Sequence, residues 1–244
     1  MASLAWNHRL FFLDELGAAA EEVEIAGEEY RHIRVLRPRP GDRVALTDGE
    51  GHLALCRLER MGQESCSGII EEKETVPLYP VQITLAFAFT KRDKWEWLVE
   101  KATENGVISF VPLITKRNRE YAREFTRKAD RFSKIMREAV KQSKRAWLPR
   151  MAPPLHLDKE IDFFTKFDTI ALMNPGGRDF SAYSWTGNHT VAVAVGPEGG
   201  WDDEEVRALR LQGARECALG DYILKTETAA LKAAFLIQYL CGGG

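Results

Sequence analysis

The chain has 244 residues, 45% of them hydrophobic and 29% charged, with a formal net charge of −2. This describes a soluble globular protein with enough apolar material for a core, built as one large domain or as a small one plus a medium one. It excludes a membrane span, which needs roughly 18 consecutive apolar residues, and a disulfide scaffold, since the four cysteines show neither density nor CxxC spacing. Met1 to Asn7 lacks the pattern of a secretion signal, so a reducing, cytoplasmic location is expected.

Charge is unevenly spread. Lys116 to Arg150 carries 13 Lys and Arg against 4 Asp and Glu, a local net of +9, which leaves −11 on the rest. Such asymmetry predicts an anionic partner, most simply nucleic acid.

In chain order, Arg9 to Leu13 reads as a short strand, and Asp14 to Tyr30 as an acidic patch. Glu28 to Val35 predicts one or two helical turns ended by Pro38. Arg43 to Thr47 alternates as a strand, and Asp48-Gly49-Glu50-Gly51 signals a hairpin to Leu53-Ala54-Leu55. A further strand is expected over Ser67 to Glu71, and a linker over Glu71 to Pro80. The expected division is residues 1–74 as a small β-barrel and 75–244 as a second domain.

The second part alternates regularly. Strands are predicted at Val81 to Phe89, Ile108 to Ile114 and Thr169 to Met173, with a helix from Lys94 to Asn105. A long amphipathic helix is expected over Phe125 to Trp147, its stripe Phe132, Ile135, Met136, Ala139 and Val140, its other faces basic. The apolar run Val191 to Val195 then enters Gly196-Pro197-Glu198-Gly199-Gly200. Asp202 and Glu205 have capping-box spacing for a helix over Asp203 to Leu211. A short apolar segment at Cys217-Ala218-Leu219 leads through Gly220 to Lys225 into a helix from Thr226 to Leu240. Strand–helix alternation implies a parallel sheet covered on both sides, with ligands outside the carboxyl ends of the strands.

Phosphate-loop, HExxH and GxSxG patterns are missing, and His8, His32, His52, His156 and His189 lack metal-ligand spacing, so no metal is expected. The physical reading ends at a small ligand plus a polyanion.

Several ordered motifs carry a resemblance. They are Gly196-Pro197-Glu198-Gly199-Gly200, Leu219-Gly220-x-x-Ile223-Leu224-Lys225-Thr226-Glu227-Thr228-Ala229, Lys101-Ala102-Thr103-Glu104-Asn105-Gly106-Val107, and Glu138-Ala139-x-x-Gln142-Ser143-x-Arg145. With His32-Ile33-x-Val35-Leu36-Arg37 they resemble, over about Asn7 to Cys241, the RsmE family of 16S ribosomal RNA uracil-N3 methyltransferases of the SPOUT superfamily. The resemblance implies a PUA-like β-barrel followed by an α/β SPOUT domain with a C-terminal trefoil knot. It also implies a homodimer, S-adenosylmethionine as methyl donor, and small-subunit ribosomal RNA, free or in the assembled subunit, as substrate. The donor is expected on Leu172, Asn174, Gly196, Pro197, Glu198, Gly199, Gly200, Leu219, Gly220, Ile223, Leu224 and Thr228. Glu198 is expected to orient loop and ligand, Lys225 to be the cation that stabilises the uracil anion, and Arg9, Arg37, Arg117 and Arg145 to contact the RNA backbone.

The family's third motif usually reads LG-x-R-I-L-R; here Tyr222 and Lys225 take the arginine positions. That departure keeps alternatives open: a SPOUT enzyme for another base, or a catalytically silent RNA-binding assembly factor. An unrelated phosphate-binding α/β protein fits the loop spacing poorly.

Overall fold

In the computed structural model, which describes residues 7–16, 21–88, 92–121, 125, 129–185, 187 and 189–241, the chain forms two compact units. The first is Met1–Leu78 with Val140–Leu148; the second is Tyr79–Ala139 with Pro149–Gly244.

The first unit contains β1 (Leu10–Phe12), β2 (Glu22–Ala26), α1 (Gly27–Val35), β3 (Arg43–Thr47), β4 (His52–Met61) and β5 (Ser65–Thr75). Among the described residues they make a sheet of order β1-β3-β4-β5-β2, with β1 and β3 parallel and the remaining pairs antiparallel. Register shifts between Leu55 and Cys56 and between Leu58 and Arg60 bend the β4–β5 pair, as bulges do. One core cluster of this unit buries Ile25, Tyr30, Ile33, Leu46 and Leu58. Tyr30 donates its hydroxyl to the Gly62 carbonyl at 2.6 Å, which fixes α1 across the sheet.

The segment Val140–Leu148 belongs here because its backbone completes the β3–β4 turn. Leu148 N–H donates to Gly49 O at 2.8 Å and Gly51 N–H to Ala146 O at 3.0 Å. Gly51, at φ +99°, is needed twice: for the turn, and because a Cβ there would lie 2.4 Å from the Trp147 ring.

The second unit contains β6 (Gln82–Ala88), α2 (Arg92–Glu104), β7 (Ser109–Ile114), α3 (Ala129–Ser143, whose residues from Val140 on belong to the first unit), β8 (Arg150–Met151), β9 (Leu155–His156), β10 (Thr169–Asp179), β11 (Thr190–Val195), α4 (Asp203–Leu211), β12 (Arg215–Ala218) and α5 (Thr226–Leu240). Its sheet runs β12-β10-β11-β6-β7-β8, with β9 also on β7, and every pairing is parallel. Strands buried on both faces carry continuous apolar runs rather than alternation, which explains Val191 to Val195. On one face α5 lays Ala230, Ala233, Ala234 and Ile237, all buried, against β6, β11 and α2. On the other, Trp201 and Leu209 pack with Phe164 over Leu172 and Ala192.

The structure departs from the sequence reading in definite places. β2 lies inside the expected acidic patch, its Val23 and Ile25 buried between exposed Glu22 and Glu24. β5 continues to Thr75, through the start of the expected linker. The long basic helix ends at Ser143, not Trp147: Lys144 turns left-handed at φ +59° and Arg145 N–H reaches back to Val140 O at 3.2 Å. Its expected first turn falls partly outside the described residues, although Phe125 is described and stacks on Phe132 with centroids 5.2 Å apart. Arg145 is only 6% exposed, so it is not available to an RNA backbone.

Candidate functional site

The carboxyl ends of β10, β11 and β12 are neighbours in the sheet, and each opens into an irregular loop. Together they enclose a cavity of about 450 Å3.

The first loop is a bulge within β10. Met173 and Arg178 both stand opposite Cys217 of β12, so Asn174 to Gly177 are pushed out of the ladder. Asn174 is fixed by donating its side-chain amide to Glu216 Oε1 at 2.8 Å, and Arg210 Nε holds the other oxygen of that carboxylate at 2.6 Å. Gly177 passes so close to β12 that a Cβ would lie 2.5 Å from the Glu216 carbonyl.

The second loop is Gly196 to Gly200. Trp201 folds back beneath it and donates Nε1–H to the Met173 carbonyl at 2.9 Å. Gly196 lies flat on that indole, and a Cβ at this position would sit 2.9 Å from the ring. The loop's far side is held from β7: Arg117 donates to the Gly199 carbonyl, Lys116 N–H to Glu205 at 2.7 Å, and Lys116 Nζ to Asp202 at 2.9 Å and to Glu204. Asp202 and Glu205 form the expected capping box of α4. The Lys116 ammonium hydrogen-bonds Asp202 and holds that carboxyl below its usual range, with the Glu204 N–H acting the same way.

The third loop, Leu219 to Lys225, is pinned at both ends. Lys232 donates to the Leu219 carbonyl at 2.7 Å, and the buried Thr226 hydroxyl to the Gly196 carbonyl at 3.1 Å. Between these anchors Tyr222 and Ile223 are each 85% exposed.

A residue the sequence reading did not single out completes the site. Lys94 of α2 lines the cavity and donates to Glu198 at 2.6 Å, with Glu227 at 3.6 Å. The hydrogen bond it donates to Glu198 raises the Lys94 pKa above its ordinary value, so the ammonium persists at neutral pH. Its only signal in the sequence was a lysine at the start of a helix, read for its apolar stripe. Cys217 also lines the cavity, and burial pushes its thiol up to about 12, leaving it protonated and a poor nucleophile.

Of the expected donor residues, Asn174, Gly196, Pro197, Glu198, Gly200, Leu219, Gly220, Ile223 and Leu224 line this one cavity, as do Glu198 and Lys225 of the expected catalytic pair. Leu172 lies beneath it in the core, Gly199 faces Arg117, and Thr228 is exposed on α5. Among the expected RNA contacts, Arg9 and Arg37 are exposed, whereas Arg117 is engaged by the loop and Arg145 is buried.

A protein-family model described as an RNA methyltransferase domain matches residues 77–238, and one described as an RNA methyltransferase PUA domain matches residues 25–71. The Bacillus subtilis ribosomal RNA small subunit methyltransferase E is 30% identical over 90% of this chain and 91% of its own length. The chain belongs to the ribosomal RNA small subunit methyltransferase E family.

Solved structures agree. The small subunit methyltransferase E of Neisseria gonorrhoeae, bound to S-adenosyl methionine, superposes with a TM-score of 0.85 at 28% identity, covering 96% of this chain and 98% of that one. A putative methyltransferase of Legionella pneumophila in complex with the same cofactor gives 0.81 at 27% identity, covering 95% and 97%. Among the described residues no group of three His, Cys, Asp or Glu could hold a metal, and no helix is long and apolar enough to cross a membrane.

The contact of Gly196 with Trp201, whose indole bonds the Met173 carbonyl, joins two of the three loops. Gly196→Ala is expected to displace the indole, shifting Trp201 emission and lowering the melting temperature by a few degrees while far-UV dichroism stays unchanged. Unchanged emission and melting would mean that the loop absorbs a Cβ without moving.

Proposed function

We propose that the protein transfers a methyl group from S-adenosylmethionine to N3 of a uridine in small-subunit ribosomal RNA, in the cytoplasm. The observation that carries this reading is the convergence of the three loops on one cavity in a chain of this family. The residues fit the donor. Met173, Val195, Leu219 and Leu224 offer an apolar wall for a flat ring, the backbone of both glycine loops offers donors and acceptors, and Glu198 faces a ligand that carries positive charge. When bound, the donor supplies an electrophilic methyl group.

The remaining chemistry falls to this chain. N3 of uracil sits on the pairing edge and must lose its proton, so the base must be unpaired and its anion stabilised. Two ammonium groups line the cavity, Lys94 and Lys225. Lys94 is neutralised by Glu198 and Glu227. Lys225 is exposed at the N-cap of α5, and among the described residues its ammonium pairs with no carboxylate, which leaves it to meet the developing oxyanion. We assign Lys225 that role, and we assign Glu198 the orientation of loop and donor.

The RNA-binding surface we propose lies in the PUA-like unit, on exposed Arg9, Arg31, Arg37 and Arg39. The chain's last third is proposed to thread as the family's trefoil knot. Phe235 and Tyr239, 54% and 65% exposed and stacked 6.2 Å apart on one face of α5, are proposed to meet a second copy in a homodimer.

Each part has its own test. Labelled donor with small subunits lacking the modification should give 3-methyluridine, and Lys225→Met should lower turnover on the order of a hundredfold with donor affinity kept. A different methylated nucleoside would refute the assigned target, and failure to bind donor would refute the enzyme reading itself. Phe235→Glu should convert dimer to monomer in light scattering; an unchanged mass would place the contact elsewhere.

Arg37 offers a cleaner test of the RNA surface, because it holds φ +52°, a conformation costing a non-glycine residue about 1–2 kcal/mol. Arg37→Gly should raise stability slightly while weakening RNA binding and flattening its salt dependence by roughly 0.7–0.9 in log–log slope. An unchanged slope would remove Arg37 from the interface.

A further inference from the structure

Tyr222 and Ile223 are adjacent, each 85% exposed, and both line the mouth of the cavity beside the exposed Lys225. Large side chains left in water at a pocket rim mark a surface that something covers. This loop is not loose, since the Lys232 and Thr226 hydrogen bonds fix the chain on either side. Among the described residues Tyr222 makes no hydrogen bond, so its ring is not explained by local structure.

We propose that Tyr222 is the stacking platform for the unpaired target base, with Ile223 extending the apolar floor. The proposal rests on the methyltransferase reading and goes beyond it by naming what holds the substrate base. The occupant follows from three features. An aromatic face accepts any nucleobase by stacking. The neighbouring Lys225 ammonium suits a base that becomes anionic, and the cavity behind is the donor's. A base drawn out of its RNA fold loses its stacking partners, and an aromatic surface beside the reacting atoms restores one. The donor's own ring is a poorer occupant, because the apolar wall of Met173, Val195 and Leu224 lies deeper in the cavity, while Tyr222 stands almost fully in solvent.

The test compares Tyr222→Ala, Tyr222→Leu and Tyr222→Phe with the unaltered full-length chain. It measures donor affinity by calorimetry, mass by light scattering, and methyl transfer to small subunits at varied RNA concentration. Stacking predicts that Ala and Leu each lower kcat/KM for RNA by roughly tenfold or more, that Phe restores it, and that donor affinity and mass stay unchanged. At this exposure none of the three should unfold the protein. Equal activity in all four proteins would overturn the platform. So would rescue by Leu as well as Phe, which needs only apolar area. A fall in donor affinity would mean that the ring belongs to the donor site, and a change in mass that it belongs to a contact between copies. If the unaltered chain neither binds donor nor transfers methyl, the methyltransferase reading fails, a result separable from loss in the variants alone.

Discussion

The site depends on a missing Cβ. Gly196 can lie on the Trp201 indole only as glycine, and that contact lets the indole N–H reach the Met173 carbonyl at the end of the neighbouring strand. The Gly196 carbonyl in turn receives the Thr226 hydroxyl from the start of α5. One residue therefore fixes the spacing of three loops. Each link is an ordinary buried contact worth about 1 kcal/mol net, but their shared point makes them act together. This is how short irregular segments hold a defined cavity without secondary structure of their own.

Electrostatics works differently in space and in sequence. The +9 of Lys116 to Arg150 describes a window along the chain, and folding brings carboxylates from elsewhere onto it. Lys116 meets Asp202 and Glu204, Arg119 meets Asp158, Arg131 meets Glu96 at 2.5 Å, and Lys141 meets Glu29 at 3.5 Å. Lys144 donates to the His8 carbonyl at 2.6 Å, and burial, with the Arg9 charge, lowers its pKa. The exposed pairs, such as Arg119–Asp158, add little stability. Their consequence is that part of the run's charge is compensated within the fold, whereas Arg31, Arg37 and Arg39 around the end of α1 are exposed.

Elements with a strong period were legible. The α4 capping box, the apolar β11 run and the α5 start were all read from local chemistry, and the structure returns Asp203–Leu211, Thr190–Val195 and Thr226–Leu240. What escaped the sequence had a physical disguise. β2 hid because its two inward residues alternate with glutamates that dominate the composition. The end of α3 hid because a lysine, not a glycine, takes the left-handed turn. The β10 bulge depends on how closely Gly177 approaches β12, which is a tertiary distance. Lys94 escaped for the same reason: its partners Glu198 and Glu227 are remote in sequence, and nothing local distinguishes it from a solvated helix lysine.

The two departures from the family's third motif can be understood as a division of labour. An arginine at a binding loop supplies a planar face and a charge in one side chain. Here Tyr222 has the plane without the charge, and Lys225 has the charge without the plane, on the same short loop at the same cavity mouth. Of the two ammonium groups at the cavity, Lys94 is paired with Glu198, which is why the proposed role of stabilising an anionic base is given to Lys225. On the proposed reading, chemistry survives the loss of both arginines because their two physical functions are retained in adjacent side chains. A lysine is a point charge and fixes no angle, so orientation of the base must come from the ring beside it.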